Sequence, residues 1–169
     1  EKVRAILGPG TGLGVAALTP SGDILPSEGG HVGFAPVSQH QVDILTALWQ
    51  RHKRISVERL LSGMGLENLY WANCYLEGRE HTLTAAEETE GAQQQNKHCV
   101  AAVQDFLNIM AAVAGDVALM TGAWGGVYLA GGILPRLLDQ IDQDAFREQF
   151  ATQYRPTSRV EEQRKSAEN

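Results

Sequence analysis

The sequence contains 169 residues, of which 43% are hydrophobic and 20% charged, and its net charge is −6. This composition is typical of one globular domain with its own core, and the acidic balance without a basic stripe excludes a nucleic-acid-binding groove. Cys74 and Cys99 are too few for a disulfide framework or a four-cysteine zinc site, so we predict two reduced, partly buried thiols and no metal site. We find no run of about 18 apolar residues and no signal peptide, which predicts no membrane segment and a cytoplasmic location.

The first part of the chain predicts an antiparallel meander. Residues 3–7 (VRAIL) and 15–18 (VAAL) are strand-like and flank the glycine-rich stretch GPGTGLG at 8–14. The turn-forming TPSGD at 19–23 then leads into a third short strand, which begins at 24–26 (ILP). Residues 157–169 carry almost nothing apolar to bury, so we expect a solvated or disordered tail there. Because residue 1 is Glu and a strand follows at once, we also expect a fragment cut at both ends.

Helical patterns occupy the middle of the chain. Residues 38–53 predict a helix whose buried stripe consists of Val42, Leu45, Leu48 and Trp49, with Ile44 beside it. Residues 56–63 predict one short helix with Ser56 as its N-cap and Gly63 just beyond its end. A further helix is predicted at 65–76, and a polar surface helix with a loop at 84–95.

The last third predicts a long buried helix, a strand and a final helix. Apolar residues recur at helical spacing from 97 to 120, namely Val100, Val103, Phe106 or Leu107, Met110, Val113, Val117 and Met120. Residues 125–141 (GGVYLAGGILPRLLDQI) then predict a buried strand, a double glycine and a helix opening at Pro135. Strands, helices, a strand and a helix in this order indicate the α/β class.

The glycine-rich stretch is a candidate phosphate loop. A dinucleotide-binding fingerprint is excluded because Leu13 stands where its third Gly belongs and a strand follows, and a Walker A loop is excluded because no Lys follows the glycines. A glycine hairpin can still bind phosphate, since its backbone N–H groups can line a concavity and Thr11 adds a hydroxyl. A tight turn that binds nothing is the alternative.

Three other sites have both a functional and a purely structural interpretation. Glu28 and His31 bracket two glycines and suit a polyol, whose hydroxyls both donate and accept, or else form a charged turn. Glu58 is either a ligand or an acid placed favourably at a helix start. Gly131 and Gly132 either let a flat ligand lie against the backbone or form a plain strand-to-helix turn.

Together, the stretches GPGTGLGVAAL, EGGHVGFAP, SVERLLSGMGLENLY and GGVYLAGGILPR resemble bacterial glucokinases, in the branch of the hexokinase and actin-like ATPase family that lacks a zinc motif. The resemblance covers about residues 3–155, in the family's order. It implies a ribonuclease H-like (actin-like ATPase) half-fold, with a mixed sheet that starts as an antiparallel meander and packs against helices. It also implies a C-terminal (large) domain fragment over residues 1–156, followed by a non-family tail at 157–169.

The resemblance also implies roles. Gly8, Gly10, Thr11 and Gly12 would belong to the loop that holds the ATP phosphates, and Gly131 and Gly132 to the adenosine-binding turn. Glu28, His31 and Glu58 would bind glucose hydroxyls. The implied reaction is ATP-dependent phosphorylation of the glucose 6-hydroxyl, with Mg2+ carried by the nucleotide, in a cytoplasmic enzyme of glycolysis for which a homodimer is the family expectation.

Among the family features that have no match in this sequence, which include the last strand and helix after Tyr154, two bear on catalysis. One is the proton-accepting Asp of an Asn-Asp pair, and the other is a first phosphate loop of the Asp-Gly-Gly-Thr type; Asp23 is no substitute because it sits in a hairpin turn. We therefore expect a chain without catalytic residues of its own, inactive when alone. The alternative is a non-catalytic sugar- or nucleotide-binding fragment or a decayed kinase-like protein.

Overall fold

A computed structural model describes residues 1–153, and the tail predicted at 157–169 lies outside them. Four strands form one mixed sheet in the order β3-β2-β1-β4. They are β1 (Arg4–Pro9), β2 (Leu13–Leu18), β3 (Ile24–Ser27) and β4 (Val127–Leu129). The first three pair antiparallel and β4 pairs parallel to β1, so the predicted meander and mixed sheet are confirmed.

One face of this sheet belongs to the core and the other is exposed. Ala5, Leu7, Leu13, Val15 and Ala17 are buried, as the alternation of side chains along a strand requires. The opposite face exposes Ile6, Ile24 and Tyr128. The prediction of a buried last strand is wrong, because β4 pairs only with β1 in the described sheet and lies at its edge, with Tyr128 and Leu129 exposed.

Residues 1–153 form five helices. They are α1 (Gln39–Leu48), α2 (Gly63–Leu76), α3 (Ala85–Gln93), α4 (Lys97–Thr121) and α5 (Gln143–Gln153). Helix α4 packs on the sheet, α2, α3 and α5 pack on α4, and α1 packs on α2. The long central helix α4 confirms the prediction from apolar spacing, although Met120 at its end is 66% exposed. Asn96 caps its start by accepting from the N–H groups of His98 and Cys99, and Gly122 ends it in the left-handed conformation that glycine favours.

Helix α4 also bears on the expectation of no membrane segment. By length and composition alone this helix is long and apolar enough to cross a membrane. However, 72% of its apolar window is buried inside the fold, and core helices of globular proteins commonly pass the same test. Cys74 of α2 and Cys99 of α4 are both free, as predicted, but they are fully buried rather than partly buried.

The predicted buried stripe of α1 is wrong by one position. Gln41, Ile44, Ala47 and Leu48 form the buried face, whereas Val42 and Trp49 are exposed. The helix also ends at Leu48 rather than continuing to Lys53. Two faces of α1 carry apolar residues, so the buried face is decided by the packing of α1 against α2.

The predicted helix at 56–63 is also corrected. The structure has a single 3-10 turn at Val57–Arg59, and the Ser56 side chain makes no capping bond. Ser62 is instead the N-cap of α2, where its Oγ accepts the Gly65 N–H at 3.0 Å, and Gly63 is the first residue of that helix. The helix predicted to open at Pro135 is likewise replaced by two 3-10 turns, Leu134–Arg136 and Leu138–Gln140.

The polar helix α3 starts with a complete capping box between Thr84 and Glu87. Its outer face is exposed, as predicted for a surface helix. Its inner face nevertheless buries Glu88, Thr89 and Ala92 against the core, so a carboxyl group lies inside the protein at a position that the polar pattern assigns to solvent.

Candidate functional site

The glycine-rich stretch forms the tip of the β1–β2 hairpin. Gly8 pairs with Gly14 across the ladder, and the Gly10 N–H donates to the Gly12 carbonyl at 2.8 Å to close the turn. Thr11 lies exposed at the tip. The predicted strand–turn–strand geometry is therefore confirmed, and the tip presents backbone and one hydroxyl to solvent.

The segment that carries Glu28 and His31 folds against this hairpin. Gly29–His31 form a 3-10 turn, and Gly30 is buried because it packs on β2. A Cβ at Gly30 would lie 2.5 Å from the Leu13 carbonyl oxygen, so only glycine allows this approach. The close packing brings the side chains on both sides of Gly30 next to the hairpin.

Glu58 completes a cluster with these two residues. Its Oε1 lies 3.8 Å from His31 Nδ1, and the Glu28 carboxylate lies 3.7 Å from His31 Nε2. Glu58 is the least exposed of the three, with 24% of its side chain accessible against 60% for His31 and 90% for Glu28. The two carboxylates can accept hydrogen bonds from adjacent hydroxyl groups, and the imidazole between them can donate or accept one.

The second glycine turn lies at the same end of the sheet as the hairpin. Because β1 and β4 are parallel, their carboxyl ends meet at one edge. Gly131 packs directly on the backbone of Pro9, and Ala130 donates its N–H to the Leu7 carbonyl at 2.9 Å. Gly131 therefore contacts the last residue of β1, directly before the hairpin turn, whereas Gly132 borders open space.

The structure adds contacts that the sequence did not reveal. Arg54 donates from Nη2 to the His31 carbonyl at 2.6 Å, and the Leu13 N–H donates to Glu58 Oε2 at 2.9 Å. The Gly63 N–H donates to the Gly10 carbonyl at 2.9 Å. In the last two bonds the hairpin contributes main-chain groups, the Leu13 N–H and the Gly10 carbonyl. Every residue type carries such groups, so the sequence gives no indication of these bonds.

Comparison with known proteins identifies relatives of this chain. The sequence model of the family described as Glucokinase matches residues 1–162. A glucokinase of Chromohalobacter salexigens is 49% identical over 152 residues, covering 88% of this chain and 48% of that protein. The chain spans about half the length of the curated relatives it matches.

Solved structures agree with the sequence matches. The crystal structure of a glucokinase from an Antarctic psychrotroph superposes with a TM-score of 0.83 at 36% identity, covering 88% of this chain and 48% of that one. A ROK-family glucokinase of Streptomyces griseus, solved with glucose and AMPPNP, superposes with a TM-score of 0.64 at 16% identity, over 93% of this chain and 52% of that one. The second likeness concerns the fold alone, and the actin-like ATPase architecture is thereby confirmed for residues 1–153.

Proposed function

Because the chain belongs to the glucokinase family, we propose that its residues serve the transfer of the γ-phosphoryl group of ATP to the 6-hydroxyl of glucose. The observation that carries this proposal is the convergence of Glu28, His31 and Glu58 beside the tip of the glycine hairpin. A sugar kinase needs its sugar-binding residues beside its phosphate-binding loop, because the acceptor hydroxyl must lie next to the transferred phosphoryl group.

Glucose would be held through its hydroxyl groups. The carboxylates of Glu28 and Glu58 would accept hydroxyl protons, and the imidazole of His31 would donate or accept one. Glu58, the most buried of the three, would form the strongest of these bonds because less water competes there. The relative from Streptomyces griseus was solved with glucose bound, which supports this choice of ligand.

ATP would lie across the two glycine turns. Gly10 and Gly132 have no atom within 4 Å of the place where a Cβ would stand, so a ligand could approach their backbone closely. The hairpin from Gly8 to Gly12, with the hydroxyl of Thr11, would bind phosphate oxygens, and the turn at Gly131 would receive the adenosine. The AMPPNP in the relative's structure supports a nucleotide as the second ligand.

Mg2+ would arrive bound to the nucleotide. Residues 1–153 contain no group of three or more His, Cys, Asp or Glu side chains that could hold a metal ion. The bound metal would neutralise charge that develops on the phosphate oxygens. The contribution of this chain would be to bind and orient both substrates, while the proton of the 6-hydroxyl would pass to an Asp that has no match in this sequence.

The first experiment measures glucose-dependent ADP formation by the purified 169-residue chain. We expect none, because the proton acceptor is missing, and clear turnover would contradict this expectation.

The second experiment measures glucose binding by calorimetry for the parent chain and for Glu28→Gln. We expect weak binding that decreases severalfold in the variant, whereas Glu90→Gln on the exposed side of α3 serves as the control and should bind as the parent does.

A non-catalytic sugar- or nucleotide-binding module is the second candidate, favoured by the missing match to the Asn-Asp pair. The gene sequence upstream of Glu1 discriminates between the two. An in-frame Asp-Gly-Gly-Thr strand and Asn-Asp pair would support the kinase, and a start codon next to Glu1 would support the binding module. Unchanged glucose affinity in Glu28→Gln would remove that residue from either site.

A further inference from the structure

We propose that Glu58 is a positioning residue shared by the sugar and phosphate sites, and that it makes the binding of one ligand favour the binding of the other. This inference rests on the proposed function, because it takes the sugar and phosphate sites as given. It adds that the two sites are linked through one carboxylate, whose two oxygens have different partners. If Glu58 only bound the sugar, the two sites would not have to be linked.

The carboxylate of Glu58 is divided between the two sites. Oε2 accepts the backbone N–H of Leu13, the first residue of β2 after the hairpin turn, at 2.9 Å. Oε1 points to the other side, 3.8 Å from His31 Nδ1. This second distance is too long for a hydrogen bond, so Oε1 keeps acceptor capacity for a sugar hydroxyl while Oε2 holds the hairpin.

The segment that carries Glu58 is attached to both sites as well. We call residues 54–63 the strap. At one end Arg54 donates to the His31 carbonyl at 2.6 Å, and the Val57 N–H donates to the Val32 carbonyl at 2.9 Å. At the other end the Gly63 N–H donates to the Gly10 carbonyl at 2.9 Å. The strap therefore joins the loop of His31 to the tip of the hairpin.

This arrangement couples the binding of glucose to the binding of phosphate. A hydroxyl that binds Oε1 restricts the rotation of the Glu58 side chain, and the same restriction keeps Oε2 on the Leu13 N–H. The hairpin then needs less further ordering to bind phosphate. Because coupling between two sites is reciprocal, phosphate must raise glucose affinity by the same factor, for which we expect about fivefold, at the low end of the usual range.

Gly12 offers a way to disturb this bond without changing Glu58. A Cβ at Gly12 would lie 2.6 Å from Glu58 Oε2, and Gly12 does not have a left-handed φ. The alanine variant can therefore keep its backbone and displace the carboxylate, which is the mobile end of a flexible side chain. Gly33→Ala is the matched control, because nothing lies within 4 Å of its Cβ and its φ is also outside the left-handed region.

The first test titrates glucose into the 15N-labelled chain and follows its amide NMR signals, without phosphate and with inorganic tripolyphosphate. In the parent and in Gly33→Ala we expect tripolyphosphate to strengthen glucose binding by about fivefold. In Gly12→Ala we expect weaker glucose binding even without phosphate, an upfield shift of the Leu13 amide proton, and no gain from tripolyphosphate. A role of Gly12 in phosphate binding alone would leave the phosphate-free glucose affinity unchanged.

A second pair of variants keeps the test valid if Gly12→Ala does not fold. Glu58→Gln removes the charge but keeps an oxygen that can accept the Leu13 N–H, whereas Glu58→Ala removes both. We expect tripolyphosphate to bind Glu58→Ala severalfold more weakly than Glu58→Gln. Loss of charge cannot explain this difference, since both variants lack it, and loss of negative charge alone would strengthen phosphate binding.

The outcomes separate this inference from the function it rests on. If glucose binds the parent and Gly12→Ala equally well, or if tripolyphosphate binds the two Glu58 variants equally, the shared role of Glu58 is overturned and the sugar site stands. If glucose shifts no signal in the parent or in Gly33→Ala, the sugar site itself, and with it the proposed function, is overturned.

Discussion

Gly131 lies directly against the backbone of Pro9, so close that a side chain at this position would overlap the Pro9 carbonyl group. Gly131 also has a φ of +91°, in the left-handed region. The contact joins the two glycine turns at the end of the sheet where β1 and β4 both terminate. The relative position of the hairpin and the proposed adenosine turn thus depends on the absence of one Cβ atom.

Gly131→Ala should destabilise the protein strongly, because it combines left-handed backbone strain with overlap against a neighbouring strand. We expect a loss of about 3 kcal/mol in the free energy of unfolding. Gly132→Ala, next to it, should cost no more than about 0.5 kcal/mol, because open space surrounds its Cβ position. Urea denaturation measures both, and equal losses for the two variants would contradict the packing described.

Ser62→Ala should cost more than Ser38→Ala, although both serines are helix N-caps. Ser62 is fully buried, accepts the Gly65 N–H at 3.0 Å and donates to the Glu58 carbonyl at 2.7 Å. Ser38 is exposed and accepts one N–H at 3.3 Å. We expect losses of about 2 and about 0.5 kcal/mol respectively. Thermal and urea unfolding of the two variants provide the comparison, and a larger loss at Ser38 would show that burial of the cap does not matter here.

Glu88 should make the protein less stable as pH rises. Its carboxyl is fully buried and neither oxygen has a hydrogen-bond partner within residues 1–153. Burial, with a smaller contribution from the neighbouring carboxylates Glu67 and Glu87, raises the pKa of Glu88 to about 9. The side chain is therefore protonated in the folded protein at neutral pH and ionised in the unfolded chain.

The folded state accordingly holds one more proton than the unfolded state between the ordinary pKa of a Glu and about 9. Stability contributed by this group is complete below the ordinary pKa and is lost as pH rises, by about 1.4 kcal/mol per pH unit. We expect the free energy of unfolding, measured with urea between about pH 5.5 and 8, to fall by this slope relative to Glu88→Gln. The exposed Glu90→Gln should keep the parent's slope; a parent slope equal to that of Glu88→Gln would mean that Glu88 is ionised in the fold.

Asp105 should matter more than a surface carboxylate because it connects three helices. From α4 it accepts a hydrogen bond from Asn73 Nδ2 of α2 at 2.7 Å and lies 3.0 Å from His40 Nε2 of α1, with only 10% of its side chain exposed. We expect Asp105→Ala to lose about 2 kcal/mol. Asp43→Ala, which removes one exposed bond to Gln39, should lose less than about 0.5 kcal/mol. Chemical denaturation checks both, and a neutral Asp105→Ala would show that the burial cost of the charge offsets its bonds.

Much of the fold could be predicted because it is encoded over short windows of sequence. The hairpin of β1 and β2 follows from two apolar runs around GPGTGLG, and α4 follows from one apolar period maintained from Lys97 to Thr121. The predictions were wrong where the local sequence is compatible with two different structures. Helix α1 has apolar residues on two strips, and Gly63 can either follow one helix or begin the next.

For the candidate site, the residue types could be read from the sequence: glycines that allow close backbone approach, two carboxylates and an imidazole. That these residues meet follows from the three-dimensional packing and not from any local pattern. The bond from Leu13 to Glu58 spans 45 positions, and Gly131 reaches Pro9 only because β4 pairs in parallel with β1. Neither contact leaves a local signal, because each depends on a backbone group that every residue possesses and on the packing that brings distant segments together.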